Sequence, residues 1–304
     1  MNNICYTKIH FSERSEILKK HIYIFDIVNG CVLVLLSVLI LYPFYYAVLN
    51  SFNAELSIGP RFLWLNSWTT TAYDALFRNQ NLLIAFRNTI WRSVVGSIVS
   101  VLVCSMAAYA MSKPYLRFKK LYTAFLIIPT FFNGGWIPTY LNISNLHLLD
   151  TFLVYIIPKA FSYFWMIILA SNFDKTPKEL EEAAYIDGSS TFKVFVHITL
   201  PLNLPAIATI ALYAAVSQWN SWYDTAYYTT SKELTTLSWL LLRMTKEQSL
   251  SGPLGSSSIL KKTSYNPEGL KMAAMVVTSI PIILIYPFLQ RFFVKGITLG
   301  SLKE

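Results

Sequence analysis

The residues best placed to do chemistry lie in one polar stretch, TPKELEEAAYIDGSSTFKVFVHITLP, from Thr176 to Pro201. Glu182 and Asp187 supply carboxylates, Ala183 and Ala184 leave room between them, and Gly188 follows directly. That set suits recognition of a basic surface rather than catalysis. Small side chains let a partner approach closely, and exposed carboxylate–cation pairs contribute about 1 kcal/mol or less, which orients an encounter more than it tightens it. Catalysis finds no constellation of Ser, Cys or metal ligands in the sequence, and there is no GxxxxGKS/T phosphate loop, so the chain reads as no enzyme and must borrow its energy. Cys5, Cys31 and Cys104 are far apart, which indicates neither a zinc site nor a disulfide framework.

A second group is polar and aromatic. Gln218, Trp219, Asn220, Trp222, Tyr223 and Asp224 mix flat rings, which stack on the C–H faces of sugars, with amides and a carboxylate that bond hydroxyls. Lys159 joins them as an ionisable residue inside an apolar run, where charge is expensive and marks a pathway by default. The competing reading is structural: the aromatic rings belong to a membrane interface, the polar members satisfy one another between helices, and Lys159 meets a carbonyl or a water-filled subunit interface. Arg92 and Asp26 read as residues near span ends reaching headgroups or solvent, and His197 as a packing residue.

Local signals position the first stretch. Thr176 suits a helix cap, Pro177 the first helical position, and Glu179 the third residue of a capping box. Leu180, Ala183, Ala184 and Asp187 share a helical face. Gly188 ends that helix, and Ser189 or Ser190 starts a second one running to about His197, before Leu200 and Pro201 lead onward.

The surrounding chain is apolar. Of 304 residues, 54% are hydrophobic and 13% charged, far from the roughly one-quarter charged residues of a soluble domain. Six runs are long enough to cross about 30 Å of hydrocarbon as helices: Ile27 to Leu49, Ser93 to Met111, Leu121 to Leu141, Phe152 to Ala170, Leu204 to Tyr227 and Met272 to Phe293. The expected fold class is an all-α integral membrane protein with Pro43, Pro129, Pro158, Pro281 and Pro287 kinking its spans. The net charge of +9 gathers in short segments between spans rather than along an aromatic-laced groove, which argues for membrane orientation and against nucleic acid. Lys8, Arg14, Lys19 and Lys20 before the first span, and Lys113, Arg117, Lys119 and Lys120 after the second, place both segments in the cytoplasm. The connection Asn142 to Asp150 has no Lys or Arg, and an even number of crossings returns the C-terminus to the cytoplasm. The first run is too long for a cleavable signal core and is expected to stay. Two long loops are expected outside, about Asn50 to Arg92 and about Tyr228 to Lys271, and the second, which holds Ser251 to Ser258, is the more flexible by composition. The division is a tail over 1–26, a six-span membrane domain over 27–293 that includes a cytoplasmic loop at 172–201, and a tail over 294–304.

Glu182, Ala183, Ala184, then Gly188, nine intervening residues, and Ile198, Leu200 and Pro201 resemble the EAA motif of binding-protein-dependent ABC transporter permeases. The ending FVKGITLGSLKE and the six-span layout are similar to the carbohydrate-uptake branch, the maltose-type second permease subunit and its relatives that import larger oligosaccharides. That resemblance, over nearly the whole chain, implies a six-helix type I importer permease in a prokaryotic cell membrane. It further implies a second homologous permease, two ATPase subunits that bind ATP and Mg, and an extracellular solute-binding protein as partners, with no cofactor in this chain. On it, the EAA loop inserts into a cleft of the ATPase, and the tail residues Gly296, Gly300, Ser301, Leu302 and Lys303 reach the interface between the ATPase subunits. Glu304 departs from the family's final Gly. The rivals are a permease for a non-sugar solute, an ion-coupled secondary transporter or channel, and a membrane scaffold.

Overall fold

The structure, a computed structural model, describes the backbone of residues 3–54, 65, 67–132, 134–250 and 267–301, and the side chains within them except at 3–23, 247–250, 267, 286 and 288–301. The order is α1 (Asn3–Ser51), α2 (Thr71–Phe77), α3 (Gln80–Ser112), α4 (Lys119–Phe131), α5 (Trp136–Asn145), α6 (Tyr163–Phe173), α7 (Lys178–Ile186), α8 (Thr191–Val194), α9 (Leu200–Leu202), α10 (Leu204–Asn220), α11 (Tyr223–Tyr228), α12 (Leu237–Leu250) and α13 (Pro267–Ser301). Short 3₁₀ turns occupy Phe152–Tyr155, Ile157–Lys159 and Lys232–Leu234, and a wide π turn, Phe195–Thr199, joins α8 to α9.

The chain divides into two compact units. One comprises Met1–Ala72 and Tyr265–Val276, with Phe52 against Trp68 at a ring separation of 6.1 Å. The other, Tyr73–Ser264 with Val277–Glu304, holds every site residue described below. Its axis is α3, packed on α6 and α10. The reason lies in a stripe of spacing four: Arg92, Gly96, Ser100, Cys104 and Ala108 all face inward. Small residues on one helix face let neighbouring backbones close up, the usual packing where lipid supplies no hydrophobic drive between helices. Cys104 and Ala108 accordingly join Met166, Leu169, Phe173 and Ile210 in one core.

Three unbroken helices among the described residues are long and apolar enough to cross a membrane, Ile24–Ser51, Gln80–Ser112 and Glu268–Ile285. Two bent pairs raise the count to five. The six expected spans therefore differ from the structure in continuity. The third is two helices, α4 and α5, parted where Gly135 takes a φ of 89°, a conformation that glycine adopts at little cost. In the fourth, the turns over Phe152–Lys159 meet α6 at 51°, because Pro158 cannot donate to a helical ladder and Ser162 caps a new helix through the Trp165 N–H. The fifth stops at Asn220, turns through an extended Ser221 and resumes as α11. The second begins at Gln80, before the expected Ser93, because Asn79 caps it by accepting from the Asn81 N–H. Within the loops expected at 50–92 and 228–271, α2, α12 and the start of α3 are ordered helix, and Ser251 to Ser258 lie outside the described residues.

Candidate functional site

The corner between α7 and α8 forms as its sequence suggests, with one difference. Gly188 has a φ of 76°, and the N–H groups of Ser189 and Gly188 donate to the carbonyls of Ala184 and Tyr185 at 2.9 and 3.0 Å. This is a Schellman stop. Ser190 then caps α8 by accepting from Lys193 N–H. The expected capping box does not form. Pro177 occupies the cap position without a side-chain bond, and Thr176 Oγ1 instead accepts from Asn203 Nδ2 at 2.9 Å, because a tertiary partner reaches it first.

Glu182, Ala183, Asp187, Gly188 and Pro201 are exposed at this corner, whereas Ala184, Ile198 and Leu200 are half-buried. Leu200 packs against the α3–α6 core. Sequence reasoning missed the apolar members of the surface: Ile186 is 86% exposed and Phe192 68%. Their signal was available as two bulky apolar residues flanking a glycine corner. The side of α7 turned inward is tied down. Glu181 accepts from Lys113 Nζ and from Thr199 Oγ1, Lys113 Nζ lies 4.0 Å from the Tyr109 ring centre, and the Tyr109 and Tyr185 hydroxyls meet at 3.4 Å. The corner is thereby joined to the end of α3. Nearby Tyr115 has its hydroxyl pKa raised, by burial first and then by Tyr185 and Glu181. His197 is exposed, its ring nitrogen at 3.1 Å from the Lys193 carbonyl, rather than packed inside.

Lys159, Gln218 and Asp224 converge around a residue expected at the headgroups or in solvent. Arg92 is fully buried. Its guanidinium donates to Asp224 Oδ2 at 2.5 Å, to Gln218 Oε1 at 3.0 and 3.2 Å, and to the Ser221 carbonyl at 3.1 Å. Its carbon lies 4.4 Å from the Tyr155 ring centre. Arg92 lies inside rather than at the headgroups because α3 starts early, at Gln80, which places it mid-helix on the inward stripe. Planar, always charged guanidinium is the cation best suited to such a site, since its fork satisfies several acceptors at once. It also takes up the Ser221 carbonyl released where α10 breaks.

Lys159 Nζ donates to the same Asp224 oxygen and to Ser221 Oγ, each at 2.7 Å, and sits 4.8 Å from the Tyr223 ring centre. Gln218 Nε2 donates to the Tyr155 carbonyl at 3.0 Å. Gly96 makes room for this amide: a Cβ there would lie 2.6 Å from Gln218 Nε2. The remaining expected pathway residues go elsewhere. Trp219 is buried edge-on against Phe86, Trp222 stacks near Trp239 with centroids 6.5 Å apart, and Asn220 is exposed. The backbone of Gly296, Gly300 and Ser301 continues α13, and Leu302 and Lys303 lie outside the described residues.

Known proteins share this architecture. The family model described as "Binding-protein-dependent transport system inner membrane component" matches residues 94–299. Protein LplC of Bacillus subtilis is 35% identical, covering 92% of this chain and 95% of that protein. The polygalacturonan/rhamnogalacturonan transport system permease protein YtcP of the same organism is 33% identical, covering 92% and 98%. Among solved structures, a chain of a bacterial ABC transporter involved in the import of the acidic polysaccharide alginate superposes with a TM-score of 0.82 at 29% identity. It covers 89% of this chain and 97% of that one.

Proposed function

Because the chain belongs to the binding-protein-dependent transport system inner membrane components, we propose that it is the transmembrane permease subunit of an ATP-driven importer of an oligosaccharide. The observation that carries this reading is near-full-length similarity to a permease named for polygalacturonan/rhamnogalacturonan transport and to a chain of an alginate importer. Its partners are a second permease, an ATPase pair that binds ATP and Mg, an extracellular solute-binding protein and the lipid bilayer. The chain itself is a transport component and not an enzyme.

In this reading residues 27–293 form the membrane domain, with α4 and α5 together as the third crossing, 152–173 as the fourth and α10 with α11 as the fifth. The tails at 1–26 and 294–304 and the loop at 172–201 face the cytoplasm. The α7–α8 corner docks on the ATPase through Glu182, Ala183, Ala184, Asp187 and Gly188, with Ile198, Leu200 and Pro201 behind it. Exposed Ile186 and Phe192 support this role, since large apolar side chains beside carboxylates suit a partner surface. Gly296, Gly300, Ser301, Leu302 and Lys303 contact the ATPase pair. Closure of that pair pushes the corner, the tie to α3 carries the displacement inward, and the spans rock from inward-facing to outward-facing.

Glu182→Ala and Gly188→Leu test the docking. The expected result is normal membrane insertion, reduced ATPase co-purification and weaker sugar-stimulated ATP hydrolysis in both variants. Full retention of stimulated hydrolysis and uptake in both would overturn it.

A further inference from the structure

The buried charges do not balance. Arg92 alone neutralises Asp224 and spends its donors on three acceptor groups within the bundle. Lys159 is then a second cation against the same single carboxylate. An unmatched charge in a membrane-embedded bundle is costly and persists where water or an outside partner completes it. An ammonium has three N–H donors. Two are used, by Asp224 and Ser221, and the third has no acceptor among the described residues. The Lys159 side chain keeps 20% of its exposure while Arg92 keeps none, so the surplus charge sits at the accessible edge of the network. That edge is the break between the Ile157–Lys159 turn and α6, and broken helices at membrane depth occur where the backbone lines protein or a water-filled cavity.

Aromatic rings continue from that point. Tyr223 lies under the ammonium, Trp136 is 6.3 Å from Tyr223, and Tyr227 is 4.6 Å from Trp136 and edge-on to it. All three are exposed. Exposed rings beside a cation with a spare donor match a pyranose that carries a carboxylate, its C–H face on a ring and its anion on the ammonium.

We propose that Lys159, with Tyr223, Trp136 and Tyr227, forms a subsite for a uronate unit, making the cargo an acidic oligosaccharide. This rests on the carbohydrate reading above and names the substrate class. A lysine serving only to hold Asp224 would be redundant with Arg92.

The test uses the full chain assembled with its partner permease and ATPase in lipid nanodiscs, titrated by saturation-transfer NMR. The probes are trigalacturonate, its fully methyl-esterified form and maltotriose. Wild type should bind the acid about tenfold more tightly than the ester, the effect of about one charge-assisted hydrogen bond. Lys159→Gln should lower acid affinity to near that of the ester with a smaller loss of ester and maltotriose binding, and Lys159→Arg should keep most of the preference. Tyr223→Leu should weaken all three. Equal binding of acid and ester to wild type, or a preference that survives Lys159→Gln, overturns the subsite; the wild-type comparison decides even if a variant fails to assemble. Ester and maltotriose binding would then leave the carbohydrate reading standing, whereas no binding of any probe would remove both.

Discussion

Asp150, in the turn after α5, accepts hydrogen bonds from the Thr230 N–H and hydroxyl, each at 2.6 Å, and from the Ser231 N–H at 3.0 Å. Those donors, the Thr230 hydroxyl first, hold its carboxyl below the ordinary carboxylate range. A depressed folded-state pKa means stabilisation that is fully present above the unfolded value of about 3.9 and is lost as pH falls through the folded value. Wild type should therefore melt at a higher temperature than Asp150→Asn by a constant margin from about pH 5 to 8, with the margin shrinking below about pH 4. A margin that does not change with pH would contradict the assignment. The sequence showed this residue only as part of a connection free of Lys and Arg. Its role needed Thr230 and Ser231, some eighty positions away, to be brought beside it.

The α7–α8 pair was largely legible as an element because its stop and second cap are local: Gly188 and Ser190 act on N–H groups and carbonyls within a few residues. Its attachment was not, since Lys113 and Thr199 reach Glu181 from other segments. Both ends of the Lys113–Glu181 pair are mostly shielded, at 9% and 16% side-chain exposure. Lys113→Met leaves Glu181 without its cation, and we expect a loss of about 3 kcal/mol, since removing one partner of a buried pair strands the other. The functional consequence should be distinctive. ATPase co-purification should persist, because Glu182 and Ile186 stay exposed, while substrate-stimulated hydrolysis falls several-fold. Unchanged stimulation in a stably folded Lys113→Met variant would show that the tie to α3 carries no displacement.

At the scale of the molecule, α3, the Phe152–Lys159 turns and α11 meet at one carboxylate, and α10 joins them through Gln218 on Arg92. Asp224 accepts from Arg92, Lys159 and Ser221, and the clamp continues where Tyr155 donates to the Leu234 carbonyl at 2.6 Å and Asn88 donates to the Thr235 carbonyl at 3.0 Å. Asp224→Asn would leave buried Arg92 and half-buried Lys159 without a counter-charge. A destabilisation of about 3–5 kcal/mol is expected, read as a lower melting temperature in detergent and reduced membrane abundance. Arg92→Met should cost less, because Lys159 remains to neutralise Asp224. The reverse order would mean that Lys159 does not share the carboxylate in solution.

By itself, the sequence determined membrane residence, the helical class, the Gly188 corner and the family resemblance. Each depends on composition or on residues within one or two turns of each other, where hydropathy, caps and glycine conformation act without help from the rest of the chain. Only the tertiary structure decided that the middle spans are broken, that Arg92 is the centre of the bundle rather than a headgroup contact, and that Lys159 is a surplus charge. These turn on which long-range partner satisfies a buried group, as when Arg92 takes the Ser221 carbonyl freed by the α10 break. A buried charge or carbonyl must be paired somewhere, but local sequence does not specify its partner across 129 positions.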